Sequence, residues 1–313
     1  WALRGLQSCE IVPETQVHSR SKSVGKECVV GFIKDQNGKT HHTSLRLMKS
    51  SNSREVPEWL VDLVTASQMK QVRIEGRIVE GTAVEQMLNC PHIEKLVLID
   101  CDVSAAGAAV EGGVPESTIM LIQCRLAPGS ERCLADATEI HFADCVISES
   151  QLLSVSRHAK KLRTFSCTSP ISVEALITLM EQPLRHLELY GQDFNGLSEV
   201  LNARTLQCEL ERLRLSDCFP EQDVASLVSC CSHLKACYLE QRSASFLTAT
   251  GLKSSSESLK ELLLAGKGVD DRVLPILQAM PNLNTVMIRD VSFSESAFQA
   301  FRNAFKGKII GQR

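Results

Sequence analysis

Thirteen cysteines and eight histidines are the residues of this chain best suited to nucleophilic, redox or metal chemistry. Their spacing supports none of the three. No two cysteines are spaced C-x-x-C, the arrangement a zinc ribbon or a thioredoxin-like site requires, and the adjacent Cys230-Cys231 has no second close pair. His41-His42 lacks a companion at metal-ligand spacing, and His158 and His233 sit at equivalent places ahead of two strands, as turn residues do. No G-x-S-x-G, G-x-x-x-x-G-K-S/T, G-x-G-x-x-G or H-E-x-x-H occurs, and Gly112-Gly113 is an isolated pair. The expectation is a protein that is not an enzyme and holds no cofactor and no metal.

Charge narrows the remaining functions. The 34 basic and 37 acidic residues leave a net charge of -3, which excludes a strongly cationic nucleic-acid binder and argues against a bulk electrostatic membrane binder. A hydrophobic content of 43% excludes disorder throughout, and an aromatic content of 4% makes the core aliphatic. No apolar run approaches the 18 or so residues of a membrane-spanning helix. The odd number of cysteines and the absence of any Asn-x-Ser/Thr sequence point to free thiols in a reducing, cytoplasmic compartment. A secreted, disulfide-bonded chain is the alternative. The chain opens at Trp1 rather than Met, which suggests a processed chain or an excised part of a longer one.

The elements that position these residues recur. A frame L-x-x-L-x-L-x-x-(N/C)-x-L is clearest at Ile93, Leu96, Leu98, Cys101 and Val103. Copies begin at Met69, Ile93, Glu116, Ala137, Leu162, Leu184, Leu210, Leu234, Leu259 and Leu283, in steps of 21 to 26 residues. Leu45 and Leu47 begin the series. Period two in L-x-L predicts a strand with one buried face, and the Cys that follows, at Cys101, Cys124, Cys145 and Cys218, predicts a small buried donor at an inward turn. Between strands the period turns helical, as in Ala83, Met87 and Leu88, and in Val173, Leu176, Ile177 and Met180. Ser148, Ser172, Asp270 and Ser294 are the capping candidates. A strand and a helix every 24 or so residues make an α/β solenoid.

This pattern resembles the leucine-rich repeat superfamily, and the turn cysteines and helical returns resemble its ribonuclease-inhibitor-like and cysteine-containing subclasses. The resemblance covers residues 69–305 and departs from the frame at Pro170 and Arg242. It implies a curved parallel sheet on the concave side, helices on the convex side, and ten to eleven repeats. Residues 1–27 read as a polar arm or linker. Residues 28–68 read as an N-terminal capping hairpin and helix, turning at Asn37-Gly38, with the helix over 56–64 begun near Pro57. Phe298, Phe301 and Phe305 share one helical face and seal the last repeat, and residues 306–313 fray.

In this frame the residues between the buried leucines point to the concave face, about 4.8 Å from their equivalents on the next strand. Two groups stand out. Val97, Ile99, Met120 and Ile122 form an apolar block, either a contact site or a surface for the N-terminal arm to cover. Glu188, Tyr190, Arg212, Arg214, Tyr238 and Glu240 bring together both tyrosines of the chain with arginines, the types enriched in binding hot spots; pairing of the arginines with Glu188 and Glu240 is the alternative reading. A column of Asp100, Asp144, Asp217 and Asp290 reads as turn chemistry rather than a metal site.

The expected function is a protein-recognition scaffold that grips a partner protein on its concave face, with neither membrane nor nucleic acid as partner. The resemblance implies three settings. They are the sensor end of a NACHT-type innate immune receptor, the substrate-binding part of an F-box ubiquitin-ligase adaptor, and a GTPase-activating protein of the Ran-activating type. The absence of a leucine-rich helical trio before residue 69 weighs against a complete F-box adaptor, and no motif marks a catalytic arginine.

Overall fold

Alternation along the frame gives most of the described parallel strands one buried and one half-open face. The computed structural model describes residues 15–16, 28–34, 40–49, 54–66, 69–105, 117–204, 206 and 208–311. The chain divides into two compact units, residues 1–137 and 138–313. The division falls within the repeat region that the leucine frame presents as unbroken. At the end of the first unit the return segment shrinks to a 3-10 turn, Ser130–Leu134, so the helical layer is thinnest there.

In the first unit, strand Cys28–Lys34 pairs antiparallel with Thr40–Leu47, which is the expected hairpin; its Asn37-Gly38 turn lies outside the described residues. Thr15–Gln16 adds to the hairpin edge, and the rest of the expected arm, up to residue 27, lies outside the described residues. The second hairpin strand is itself the first parallel strand. It pairs with Gln71–Glu75, followed in order by Lys95–Ile99 and Thr118–Ile122. Leu47, Ile74, Leu98 and Leu121 are in register and at most 3% exposed. The first helix, Glu58–Ala66, starts directly after Pro57 and buries Leu60 and Val64. In the next helix, Gly81–Leu88, the buried face is Gly81, Val84, Met87 and Leu88; Ala83, expected there, is only half-buried because Val84 takes the inward position.

The second unit stacks eight parallel strands: Glu139–Ala143, Thr164–Cys167, His186–Tyr190, Arg212–Ser216, Ala236–Glu240, Glu261–Ala265, Thr285–Arg289 and Lys308–Ile310. Phe142, Cys167, Leu189, Leu215, Leu239, Leu264 and Ile288 align across seven of them and are at most 4% exposed. Each fully buried leucine contributes roughly 2 kcal/mol of transfer free energy. The helices begin where the caps were expected. Ser148 accepts from the Gln151 amide in a reciprocal capping box, Ser172 from Ala175, and Ser294 from Ala297. Phe293, Phe298, Phe301 and Phe305 stack in sequence with centroids 5.1 to 6.5 Å apart. One expectation fails at the end of the chain. Residues 308–310 do not fray but pair with Thr285–Met287, because the exposed backbone of the last full strand offers a ladder that three residues satisfy.

Candidate functional site

The two columns that follow the strands settle first. Seven places after the frame start φ is positive in nine of the ten repeats: Gly76, Asp100, Gln123, Asp144, Gly191, Asp217, Gln241 and Asp290 lie between +52° and +63°, and Gly266 is at +154°. The aspartates are there because Asp tolerates this conformation better than most side chains, and not as metal ligands. One place on, the chain turns inward. The Cys101 thiol donates to the carbonyls of Ile99 in its own repeat and Ile74 in the one before. Cys124 does the same to Ile122 and Leu98, and Cys218 to Ser216 and Leu189. Gln192 replaces the thiol with an amide. It donates to Tyr190 and Ser169 and accepts from the Ile171 amide at 2.9 Å. At the two departures a serine beside the missing donor compensates: Ser169 donates to the Cys145 carbonyl next to Pro170, and Ser243 accepts from the Cys218 amide next to Arg242.

Both units are built of one repeating frame. Nine of the ten repeats turn through a positive-φ corner after the strand, and at Arg77, Cys101, Cys124, Gln192 and Cys218 an inward donor ties the repeat to its predecessor. These repeats spend their cysteines on packing. Of the eleven described cysteines, all are free and all but Cys230 are buried, and burial pushes the thiols of Cys167 and Cys237 up to about 12.

The repeat frame leaves the alternate strand positions free, and the candidate residues occupy them. In the first unit Val97 faces Met120 and Ile99 faces Ile122 in register, all four half-buried. The expected apolar block is therefore assembled on two adjacent strands. Arg73 and Glu75 precede it in register, and Glu75 takes the Arg46 and Arg73 guanidiniums. Apart from Thr15–Gln16, the arm that was to compete for this block lies outside the described residues.

In the second unit the six expected residues meet on three adjacent strands. Glu188, Arg214 and Tyr238 share one register row, and Tyr190 and Glu240 share the next. Glu240 is the hub, with its side chain 11% exposed. One carboxylate oxygen accepts from Arg214 at 2.7 Å and the other from Arg289 at 2.9 Å. Tyr190 donates to Glu188 at 3.1 Å, and the Arg214 guanidinium lies 5.7 Å from the Tyr190 ring centre. Burial, and then the Glu188 carboxylate, push the Tyr190 phenol up; Tyr238 is raised by burial and by Glu261. Arg212 lies 6.0 Å from the Tyr238 ring centre, is exposed, and has no carboxylate partner among the described residues. The alternative reading, arginines paired with glutamates, holds for Arg214 and not for Arg212.

Three features of this face escaped the sequence reading. Arg289 reaches Glu240 across an intervening strand, where the register residue is Ala265, short enough to be passed over. His186 stands beside Arg212 and is held below its ordinary value by burial and then by that guanidinium. Leu263, Met287 and Ile310 continue the Arg214–Tyr238 row as an open apolar strip, lining a depression of about 560 Å³ with Arg289 and Gly311. Their common position in the frame was the signal available. Among the described residues no three His, Cys, Asp or Glu side chains are placed to hold a metal ion, and no helix is long and apolar enough to cross a membrane.

No family model and no curated protein sequence matches the chain. Among solved structures it is similar to an internalin from Listeria monocytogenes, at 12% identity and a TM-score of 0.48 over 90% of this chain and 87% of that one. It is also similar to a leucine-rich repeat protein of Leptospira interrogans, at 12% identity and a TM-score of 0.33 over 82% and 92% of the two chains.

Proposed function

We propose that the protein is a recognition scaffold that binds a partner protein on the open face of its strands. The observation that carries this reading is the Arg214–Glu240–Arg289 network with Tyr190, Arg212 and Tyr238 beside it. The frame makes no demand on these positions, yet they hold the residue types that dominate protein interfaces, fixed in place before any partner arrives. The apolar block Val97, Ile99, Met120 and Ile122 supports the same use of the first unit's face. The acids of the second unit's face bind neighbouring side chains, which supports binding rather than catalysis. Thiols that donate to carbonyls at Cys101, Cys124 and Cys218 support a reducing, cytoplasmic setting, since oxidation removes the donor. Within this reading, the sensor end of a NACHT-type receptor is the setting drawn from the resemblance; an upstream nucleotide-binding module encoded in the same transcript tests it.

The experiment for the main reading places a photo-crosslinking amino acid at Tyr238 on the face and at Gln222 on an exposed helix. A discrete adduct from position 238 and none from 222 supports the reading. Equal labelling, or none from either site, removes it.

A further inference from the structure

The second unit's face carries more specific information than a general affinity for protein. Its charges are mostly spent. Glu240 saturates both oxygens on two arginines, Glu188 holds the Tyr190 hydroxyl, and Glu261 raises the Tyr238 phenol through a hydrogen bond. Arg212 is left over, exposed and without an anion among the described residues. The strand-start edge beside it has the same bias. Arg185, Glu211, Lys235 and Lys260 follow one another through the repeats, each amide donating to the preceding carbonyl. Glu211 is shared by Arg185 at 3.8 Å and Lys235 at 2.9 Å, while Lys260 has no acid partner among the described residues. With Arg212 and the Glu261 of its own register row counted in, four cations stand against two anions, and this edge is net positive.

Across the strands from Arg212 lies the apolar strip. Leu263 and Met287 are half-buried, and Ile310 is 40% exposed on the last strand. Two to three strand spacings of about 4.8 Å, and one residue pair along the strand, separate Arg212 from Leu263 and Met287 by about 12–16 Å. An extended chain covers that distance in roughly three to five residues. Tyr238 lies between, where its ring gives a flat surface to pack against.

We propose that this face reads an extended peptide segment of its partner that carries a carboxylate and, three to five residues away, a large aliphatic side chain. The carboxylate meets Arg212 and the basic edge. The aliphatic side chain fills the depression at Leu263, Met287 and Ile310. Charge complementarity selects an acidic segment, and the strip sets its spacing. The inference deepens the recognition reading above and rests on it.

The test pans a phage-displayed random dodecapeptide library on the full chain and on its Arg212→Glu, Met287→Lys and Met120→Asp variants. Wild-type protein is expected to enrich peptides with Asp or Glu three to five residues from Leu, Ile or Met. Arg212→Glu is expected to enrich Lys or Arg at the acidic place and to bind the wild-type peptides at least tenfold more weakly. A switch of preference cannot come from misfolding. Met287→Lys is expected to lose the aliphatic preference. Peptides that Arg212→Glu and Met287→Lys bind as wild type does, but Met120→Asp does not, overturn this inference and leave the recognition reading standing on the first unit. Enrichment insensitive to all three variants, or no enrichment, overturns both.

Discussion

The apolar block on the half-open face of the first unit and the charged cluster on that of the second are made by the same rule and carry opposite chemistry. In both, a strand alternates frame residues, at most a few per cent exposed, with residues the core does not need. In the first unit the block is Val97, Ile99, Met120 and Ile122, which have nothing to bond and only area to offer. In the second unit the cluster is Arg214, Glu240, Arg289 and Tyr190, which bond one another before any ligand arrives. The architecture therefore resides in the buried half of each strand and the recognition in the other half, and the two vary independently. Changes to the buried half should act alike in both units; changes to the free half should not.

The largest effect tests the likeness. Leu98 and Leu215 are both fully buried and hold equivalent places on their strands. Leu98→Ala and Leu215→Ala should each cost about 3 kcal/mol, the transfer of the lost side chain plus its cavity. Urea denaturation followed by circular dichroism measures it. A loss under about 1 kcal/mol at either place means that strand's core is loose and the shared frame is not a shared core.

The left-handed corner gives the next effect and separates two glycines at one frame position. A Cβ on Gly266 would stand 2.5 Å from the Gln241 carbonyl oxygen, whereas a Cβ on Gly191 meets nothing within 4 Å. Gly191→Asn should cost about 1 kcal/mol or less, since Asp144 and Asp217 adopt the same corner with φ near +55°. Gly266→Asn must displace backbone and should cost about 2 kcal/mol or more. Gly266 also differs in conformation, with φ +154° against +63° at Gly191, and comparable melting temperatures for the two variants would show that neither this nor the close approach limits the corner.

The frame could be read from the residues because it is local. Period two, a left-handed corner and an inward donor each occupy one or two positions, so Leu98, Asp217 and Cys101 announce their roles without knowledge of the rest of the chain. The pairing of Arg289 with Glu240 could not be read that way. It crosses two repeats, and it depends on Ala265 being small and on the reach of a guanidinium, neither of which a column of equivalent positions encodes. Strand Lys308–Ile310 was hidden for a different reason: Lys-Ile-Ile between glycines is too short to show a period, and it is a strand only because a neighbouring strand offers its edge. The boundary at residue 137 left no mark on the leucine frame, whose copies at Ala137 and Leu162 follow at the usual step.

The free halves should then part company. Glu240→Ala strands two guanidiniums around a side chain that is 11% exposed, and should cost about 1–2 kcal/mol, reduced by the exposure of Arg289. Met120→Ser in the first unit removes only half-buried area and should stay within about 0.5 kcal/mol. Chemical denaturation of the two variants side by side measures the contrast. Equal losses would mean that the apolar block is packed against something, and the two faces would then be alike in being built into the fold.

The smallest effect concerns charge within the second face alone. His186 is held below its ordinary value of 6.5, first by burial and then by Arg212, while Glu139, Glu211 and Glu188 pull the other way. In Arg212→Gln the second cause is gone, so the imidazole should titrate higher than in wild type. The sign for stability follows. A histidine with a folded value below its unfolded one takes up its proton first in the unfolded chain, so the folded state loses stability as pH falls below about 6.5 and continues to lose it down to the folded value. Arg212→Gln narrows that interval, and the difference in unfolding free energy between variant and wild type should shift in favour of the variant on going from pH 7.5 to pH 5.5. Proton NMR of the imidazole C2–H follows the titration directly. A wild-type His186 that titrates at or above 6.5, or one that Arg212→Gln does not move, would mean that Arg212 already has an anion beside it and is not the vacant cation that distinguishes this face from the apolar one.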